Sequence, residues 1–367
     1  MTALTVALGE RSYPILIQRD RFRRLGRYLR SRGLGPLGII VTNRTTRRLV
    51  GKAVVQSLRA AGWQVSVIDI PDTERAKSPT VALRLLRSIA QRTQRQTPTL
   101  LALGGGVVGD VTGYVASTFR RGIPYVQLPT TLLAQVDSAI GGKVGIDLPE
   151  GKNLAGAFYQ PRAVYSDIAA LRTLPARQLR SGLSEVIKYA AIADPALWAR
   201  LERRRPAILR GHAGDLAWIV QRCARIKARL VSLDERETRS LRTLLNFGHT
   251  AGHALEAATG YSSRLTHGEA IAIGMAVAAD LGCLLGVTPL AARARLLALL
   301  TAYGLPTTAR DMSAARVEQA MAFDKKFVAG AQRWVLLRRR GHAVVIRNVD
   351  PASARQALLA RIGNGAR

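Results

Sequence analysis

The sequence predicts an α/β N-terminal domain, Rossmann-like with a mostly parallel sheet, followed by a mainly α-helical C-terminal domain. Three observations carry this. From Tyr13 to about Asp167, short β-branched runs alternate with amphipathic stretches, the pattern of parallel strands covered by helices. From about Pro175 the texture turns to long Ala/Leu/Arg segments and the strand signal nearly vanishes. The chain has 367 residues, beyond the roughly 250–300 at which a single core stops growing. The domains are expected at 1–174 and 175–367. No internal repeat or low-complexity linker separates them, so they should be joined tightly, with the active site in the cleft between them.

In chain order, strands are expected at Gly38–Thr42 (GIIVT), Gln64–Ile70 (QVSVIDI), Thr99–Leu103 (TLLAL) and Tyr125–Leu128 (YVQL). Helical periods fill the intervals, as from Thr80 to Arg92. The second half reads as helices over Ala176–Ala193, Leu197–Val231 and Arg242–Ala258, with a late hairpin of Arg333–Leu337 and Ala343–Asn348 around Gly341. The tail after Ile362 should fray.

Apolar residues at 48% and charged residues at 22% are ordinary for a globular chain, which argues against extensive disorder. Glu10 and Arg11 stand where a secretion signal needs its apolar centre, so none is expected. The uncharged stretch Ala270–Ala279 is about half a bilayer span, so no membrane crossing is expected. Cys223 and Cys283 lack CxxC spacing and suit a reducing cytoplasm.

The net charge of +31 raises nucleic acid as a partner. The arginines are scattered, however, and aromatics at 5% leave few stacking platforms, so only weak non-specific adhesion is expected. Within that charge, only eight of the 55 basic residues are lysine. A lysine retained in so arginine-rich a chain is a candidate for chemistry that needs a compact ammonium with a tunable pKa, although codon usage explains any single one.

Two constellations carry chemistry. Leu101–Asp110 (LALGGGVVGD) is an apolar strand end, a run of Gly104, Gly105 and Gly106, then the opening of a helix. Such a turn lets the backbone approach a pyrophosphate at a helix N-terminus, though it also serves as a plain strand-to-helix turn. Pro129-Thr130-Thr131-Leu132-Leu133 follows the next strand and offers two hydroxyls at the same sheet edge, with Asp137 shortly after. Further on, Asn246–Glu256 (NFGHTAGHALE) puts His249 and His253 at i, i+4 on one helical face, with His267 soon after in LTHGEA. Two histidines with a carboxylate form a familiar zinc set, while two hydrogen-bonded core histidines would read the same way. The spacing is not HExxH, which excludes the zinc-protease pattern.

The unbroken run from Gly104 to Phe158, with GGGVVGD, LPTTLLAQVDSAIGGK and LPEGKN, resembles the signature of 3-dehydroquinate synthases and related sugar-phosphate cyclases. The similarity extends over about residues 12–350, beginning with a first strand at SYPILI. It implies an NAD-binding first domain, and a second that binds a divalent metal, zinc or cobalt, and an anionic sugar phosphate. The implied metal ligands are Glu185 in LSEVIKYA, His249 and His267, leaving His253 for proton handling or phosphate. The implied catalytic set is Lys143, Lys188, Lys227, Arg242, Asn246 and His253, with Arg121, Asp137, Lys152, Asn153 and one of Lys325 or Lys326 binding substrate. Implied cofactor contacts are Asn43, Glu74, Lys77, Gly105, Gly106, Val107, Asp110, Thr130, Thr131, Leu133, Thr173 and Leu174. Counting both Lys325 and Lys326, seven of the eight lysines fall on these positions.

The resemblance implies conversion of 3-deoxy-D-arabino-heptulosonate 7-phosphate to 3-dehydroquinate and phosphate, a carbon–oxygen lyase reaction of the shikimate route to chorismate and aromatic amino acids, in a cytoplasmic homodimer. Oxidising a secondary alcohol acidifies its neighbouring C–H and permits phosphate elimination; returning the hydride and closing an intramolecular aldol leaves the reaction redox neutral. Two departures stand out: Thr73 replaces the usual Gly before Glu74, and one extra residue between Glu237 and Arg242 leaves Glu237 out of the expected site. Competing readings are a sister cyclase acting on glucose 6-phosphate or sedoheptulose 7-phosphate (2-deoxy-scyllo-inosose synthase-like), a metal-dependent polyol dehydrogenase, a nucleic-acid binder, and a catalytically dead scaffold.

Overall fold

A computed structural model describes residues 2–94, 96–239, 241–322 and 333–363. Its contacts divide the chain into two compact units, Met1–Pro175 with Ala213–Arg236, and Ala176–His212 with Glu237–Arg367.

In the first unit the strands are β1 (Thr2–Val6), β2 (Tyr13–Gln18), β3 (Leu37–Asn43), β4 (Gln64–Ile70), β5 (Thr99–Gly104), β6 (Tyr125–Pro129), β7 (Lys143–Leu148), β8 (Gly151–Phe158) and β9 (Ala163–Asp167). Seven of them form a sheet in the order β1-β2-β9-β6-β5-β3-β4, parallel throughout except for the edge pair β1-β2. Its helices are α1 (Leu25–Ser31), α2 (Arg44–Thr46), α3 (Lys52–Arg59), α4 (Pro79–Thr93) and α5 (Gly106–Thr118). The period-2 alternation of the strands builds two cores. Ile39, Val41, Leu100 and Ala102 face α4 and α5 with Leu85, Ile89, Val111 and Val115, while Ile40, Leu101 and Leu103 face α1 and α3 with Leu29, Val54 and Leu58. Covering both faces is what a parallel sheet requires.

The chain leaves β3 for β4 on one side, then returns to lay β5 on the other side of β3. The crevice at the carboxyl ends of β3 and β5 is therefore the topological switch point, where open α/β sheets bind ligands. The hairpin β7-β8 was not anticipated. Its close pairing uses Gly145 and Gly156, where a Cβ would lie 2.9 Å from the Ala155 carbonyl oxygen and 2.4 Å from that of Val144. Those glycines erase the alternation that marks a strand.

The stretch Leu197–Val231, expected as one helix, is two: α7 (Pro195–Leu209) and α8 (Ala213–Leu233). Gly211, at φ +74°, adopts the left-handed conformation that ends α7. The two helices also part company. Helix α8, expected within 175–367, packs on β1, β2 and the turn Ala134–Ser138 of the first unit. Val6, Tyr13, Ile15 and Ile140 receive its apolar stripe of Ala224, Ala228 and Val231.

The second unit is mainly helical, with α6 (Ala176–Ala193), α7, α9 (His249–Ala258), α10 (His267–Leu284), α11 (Leu290–Ala302), α12 (Ala314–Ala322) and α13 (Pro351–Leu359). The hairpin β10 (Trp334–Arg339) and β11 (His342–Ile346) is antiparallel, its second strand ending before Arg347 and Asn348. The expected helix Arg242–Ala258 is instead a 3₁₀ turn, Arg242–Asn246, followed by α9. Gly248, at φ +81°, separates them and turns the chain into the new helix. Helix α10 is apolar and long enough to cross a membrane, but it is largely buried, packed against α6, α9, α11, α13 and β10. It is the core of this unit.

Candidate active site

In the first unit, most of the expected cofactor residues gather at the carboxyl end of the sheet. Gly105, at the N-cap of α5, makes no side-chain cap, so the first N–H groups of a 13-residue helix, including those of Gly106 and Val107, face outward for an anion. The backbone N–H of Thr130 donates to the Gly104 carbonyl at 2.9 Å, which sets the Thr130-Thr131 turn beside the glycines. Thr131 Oγ1 accepts from the Ala134 N–H, and Leu133 leads into that turn. Asn43 closes β3; its Oδ1 caps α2 at Thr46 N and its Nδ2 donates to Asp72. Thr173 ends the 3₁₀ turn after β9, its hydroxyl donating to the Ala170 carbonyl, and Leu174 follows it.

Lys77 is buried and charged among acceptors. Its Nζ lies 2.8 Å from Asp110 Oδ2, contacts Asn153 Oδ1, and is 3.9 Å from Asp147 Oδ1. Burial alone would lower its pKa, but the carboxylates of Asp110, Glu74 and Asp147 raise it above the ordinary lysine value. Lys152 pairs with Glu74 at 3.0 Å. Lys227, on α8, donates to the Asp137 carbonyl and pairs closely with its carboxylate. Lys143 stands exposed at the start of β7.

Arg121 is not brought to this edge. It lies beyond the far end of α5, before β6, about 20 Å along the helix axis from Gly106 at a rise of about 1.5 Å per residue. Motif proximity in the sequence concealed this, because α5 carries the chain from one end of the sheet to the other. Lys325 and Lys326 lie outside the described residues.

In the second unit, three helices meet at glycines. A Cβ on Gly268 would fall 2.0 Å from the Ser181 carbonyl oxygen of α6, and one on Gly274 would fall 1.9 Å from the Gly248 carbonyl oxygen, so α10 packs backbone to backbone against both neighbours. Thr266 and Glu269 form a reciprocal capping box that fixes where α10 begins, at His267. The result is convergence: the donor atoms of Glu185, His249 and His267 all lie within 4.8 Å of one another.

Each donor is aimed from behind. His249 Nδ1 lies 3.2 Å from the Phe247 carbonyl and His267 Nδ1 3.3 Å from Glu256 Oε2, which leaves both Nε2 atoms toward Glu185 Oε1, at 3.5 and 3.2 Å. This is the outer arrangement that orients metal-binding imidazoles. Lys188 pairs with the other oxygen of the fully buried Glu185. Burial and the Lys188 charge hold His249 well below the usual imidazole pKa. Burial opposes protonation of His267 too, but its bonds to Glu185 and Glu256 raise it to about 9. Burial works against ionisation of Glu185, yet Lys188 and the histidines outweigh it and lower its pKa. Once the His267 proton leaves Nε2, two imidazole lone pairs and an ionised carboxylate fit a divalent cation of the zinc or cobalt type, so binding would release a proton.

His253 stands beside this trio, its ring 5.1 Å from that of His249. Arg242 is buried in the preceding 3₁₀ turn, which Asn246 ends. Glu237, left out of the expected site, has φ +60° and reaches Arg242 Nε at 3.5 Å. Glu256 and Asp147 went unnoticed; Glu256 sits in the quoted NFGHTAGHALE run three residues after His253, a helical neighbour with no pattern of its own.

The chain matches the 3-dehydroquinate synthase N-terminal family model over residues 67–181 and the C-terminal model over 182–327. A 3-dehydroquinate synthase of Pelobacter propionicus is 45% identical over 346 residues, covering 94% of this chain and 96% of the relative. One of Pelotomaculum thermopropionicum is also 45% identical, over 94% of this chain and 93% of its own. Among solved structures, the 2-epi-5-epi-valiolone synthase of Streptomyces hygroscopicus, with NAD+ and Zn2+ bound, superposes with a TM-score of 0.86 at 28% identity, over 96% of this chain and 98% of its own. A 2-deoxy-scyllo-inosose synthase with carbaglucose-6-phosphate, NAD+ and Co2+ shares the fold, with a TM-score of 0.87 at 23% identity over 98% and 100%.

Proposed function

The chain belongs to the 3-dehydroquinate synthase family, and from that premise we propose that it converts 3-deoxy-D-arabino-heptulosonate 7-phosphate to 3-dehydroquinate and phosphate. The observation that carries this reading is the convergence of Glu185, His249 and His267 beside Lys188, in a chain whose other unit presents a nucleotide-type glycine turn.

The first unit would hold NAD through the open N-terminus of α5, Thr130, Thr131 and Asn43, with Glu74, Lys77 and Asp110 beyond. The second would hold zinc or cobalt on Glu185, His249 and His267. When bound, NAD supplies a reversible hydride acceptor and the cation a Lewis acid for the substrate oxygen. The protein's own part is electrostatic. Lys188 keeps Glu185 ionised, while Arg242, Lys143, Lys152 and Lys227 are the cations assigned to the carboxylate and phosphate of the substrate. Asn153 and Asn246 are their polar partners, Asp137 orients Lys227, and His253 handles protons or phosphate. The reading extends to a homodimer acting in the cytoplasm, with no specific nucleic-acid or membrane partner; α10, the one membrane-length apolar helix among the described residues, is occupied as a core.

The test is phosphate release from the heptulosonate phosphate by purified protein with NAD and zinc or cobalt, before and after chelation, while NADH absorbance is followed. Metal-dependent phosphate release with a dehydroquinate product and no net NADH is expected. Cyclisation only of glucose 6-phosphate or sedoheptulose 7-phosphate would overturn it in favour of a sister cyclase, and accumulating NADH in favour of a dehydrogenase.

A further inference from the structure

We propose that Asp147 is a positioning residue that fixes the β7-β8 turn so that Lys152 and Asn153 are presented in one geometry to the sugar phosphate; this rests on the reading above. Between the pairs Ile146–Ala155 and Leu148–Gly151, three residues of β8, Lys152, Asn153 and Leu154, stand opposite the single Asp147 of β7, so the strand bulges on the β8 side. Asp147 is held at both ends. Its backbone N–H donates to the Lys77 carbonyl at 2.8 Å, tying β7 to the turn after β4. Its Oδ1 accepts the backbone N–H of Asn153 at 2.9 Å, across the turn, and lies 3.9 Å from Lys77 Nζ.

Asn153 sits at φ +53°, in the left-handed region, which asparagine tolerates better than other non-glycine residues and which its contacts here reinforce. Two contacts do so: the bond from its N–H to Asp147, and that from Lys77 Nζ to its side-chain oxygen. Lys152, the next residue back, pairs with Glu74 at 3.0 Å. Asp147 therefore acts through other residues. Removing it frees the Asn153 backbone to leave the left-handed region, and Lys152 loses its fixed departure angle.

Three variants test this, with wild-type turnover of the heptulosonate phosphate as the prior condition. If wild type is inactive, the family activity fails; if wild type turns over, the variants address Asp147 alone. Asp147→Ala should raise KM for the sugar phosphate about tenfold, the scale of one lost hydrogen bond to a carboxylate. Asp147→Asn keeps an oxygen for the Asn153 N–H without the charge, and should restore KM to within about threefold of wild type. Leu154→Ala, on the exposed face of the same hairpin, controls for general loosening and should leave KM unchanged. The proposal is overturned if Asp147→Ala leaves KM unchanged, if Asn rescues nothing, or if Leu154→Ala raises KM equally.

Discussion

Replacing Glu256 by alanine removes the carboxylate whose Oε2 lies 3.3 Å from His267 Nδ1, without touching any of the three metal donors. Glu256 is buried at 8% exposure, so water does not readily take its place. Losing such a carboxylate typically weakens metal binding about 10–100-fold, by freeing the imidazole to rotate and lowering its basicity. A separation of 3.3 Å is long for an N–H···O bond, so the expected loss for Glu256→Ala is nearer about 30-fold, or about 2 kcal/mol. Glu256→Gln keeps an oxygen acceptor without the charge and should lose only about threefold to tenfold. Competition for zinc against a chromophoric chelator measures both, and calorimetry on the metal-free protein separates affinity from folding. Zinc affinity in Glu256→Ala equal to that of the parent would refute the idea that Glu256 orients His267.

Lys188→Met leaves the buried Glu185 carboxylate without its ammonium. The metal-free variant should lose about 3–5 kcal/mol, partly recovered with zinc, in denaturant titrations with and without chelator. Gly274→Ala places a Cβ 1.9 Å from the Gly248 carbonyl oxygen, so α9 and α10 must separate. A stability loss of about 1–3 kcal/mol should come with weaker zinc binding; a loss of stability alone would mean that the helix crossing does not set the metal site. Burial pushes the Asp280 carboxyl up, but Arg361 and Arg293 outweigh it and hold its pKa below the ordinary range. A depressed folded pKa contributes stability above the unfolded value of about 3.9, lost as pH falls through the folded value. Asp280→Asn should thus be less stable than wild type at neutral pH, with the two denaturation curves converging on acidification below about pH 4.

Much of the first unit was legible locally. Strands such as Gln64–Ile70 and the helix begun at Ser78-Pro79 announce themselves through period, cap and proline, which act over a few residues. The sequence by itself also determined the chemical vocabulary: the glycine turn after β5, the imidazole pair one helical turn apart on α9, and a set of lysines retained against an arginine background. Breaks at Gly211 and Gly248 were missed because one glycine costs a helix pattern little until tertiary contacts demand a left-handed residue there. Only the tertiary structure decided which unit α8 covers, that α5 carries Arg121 away from the glycine turn, and that Glu237 reaches Arg242. It also decided how His249 and His267 meet Glu185, 64 and 82 residues earlier in the chain, with Glu256 behind them. Those outcomes depend on how closely α6, α9 and α10 approach at Gly268 and Gly274, and a helical period fixes the face a residue occupies but not the neighbour that face will meet.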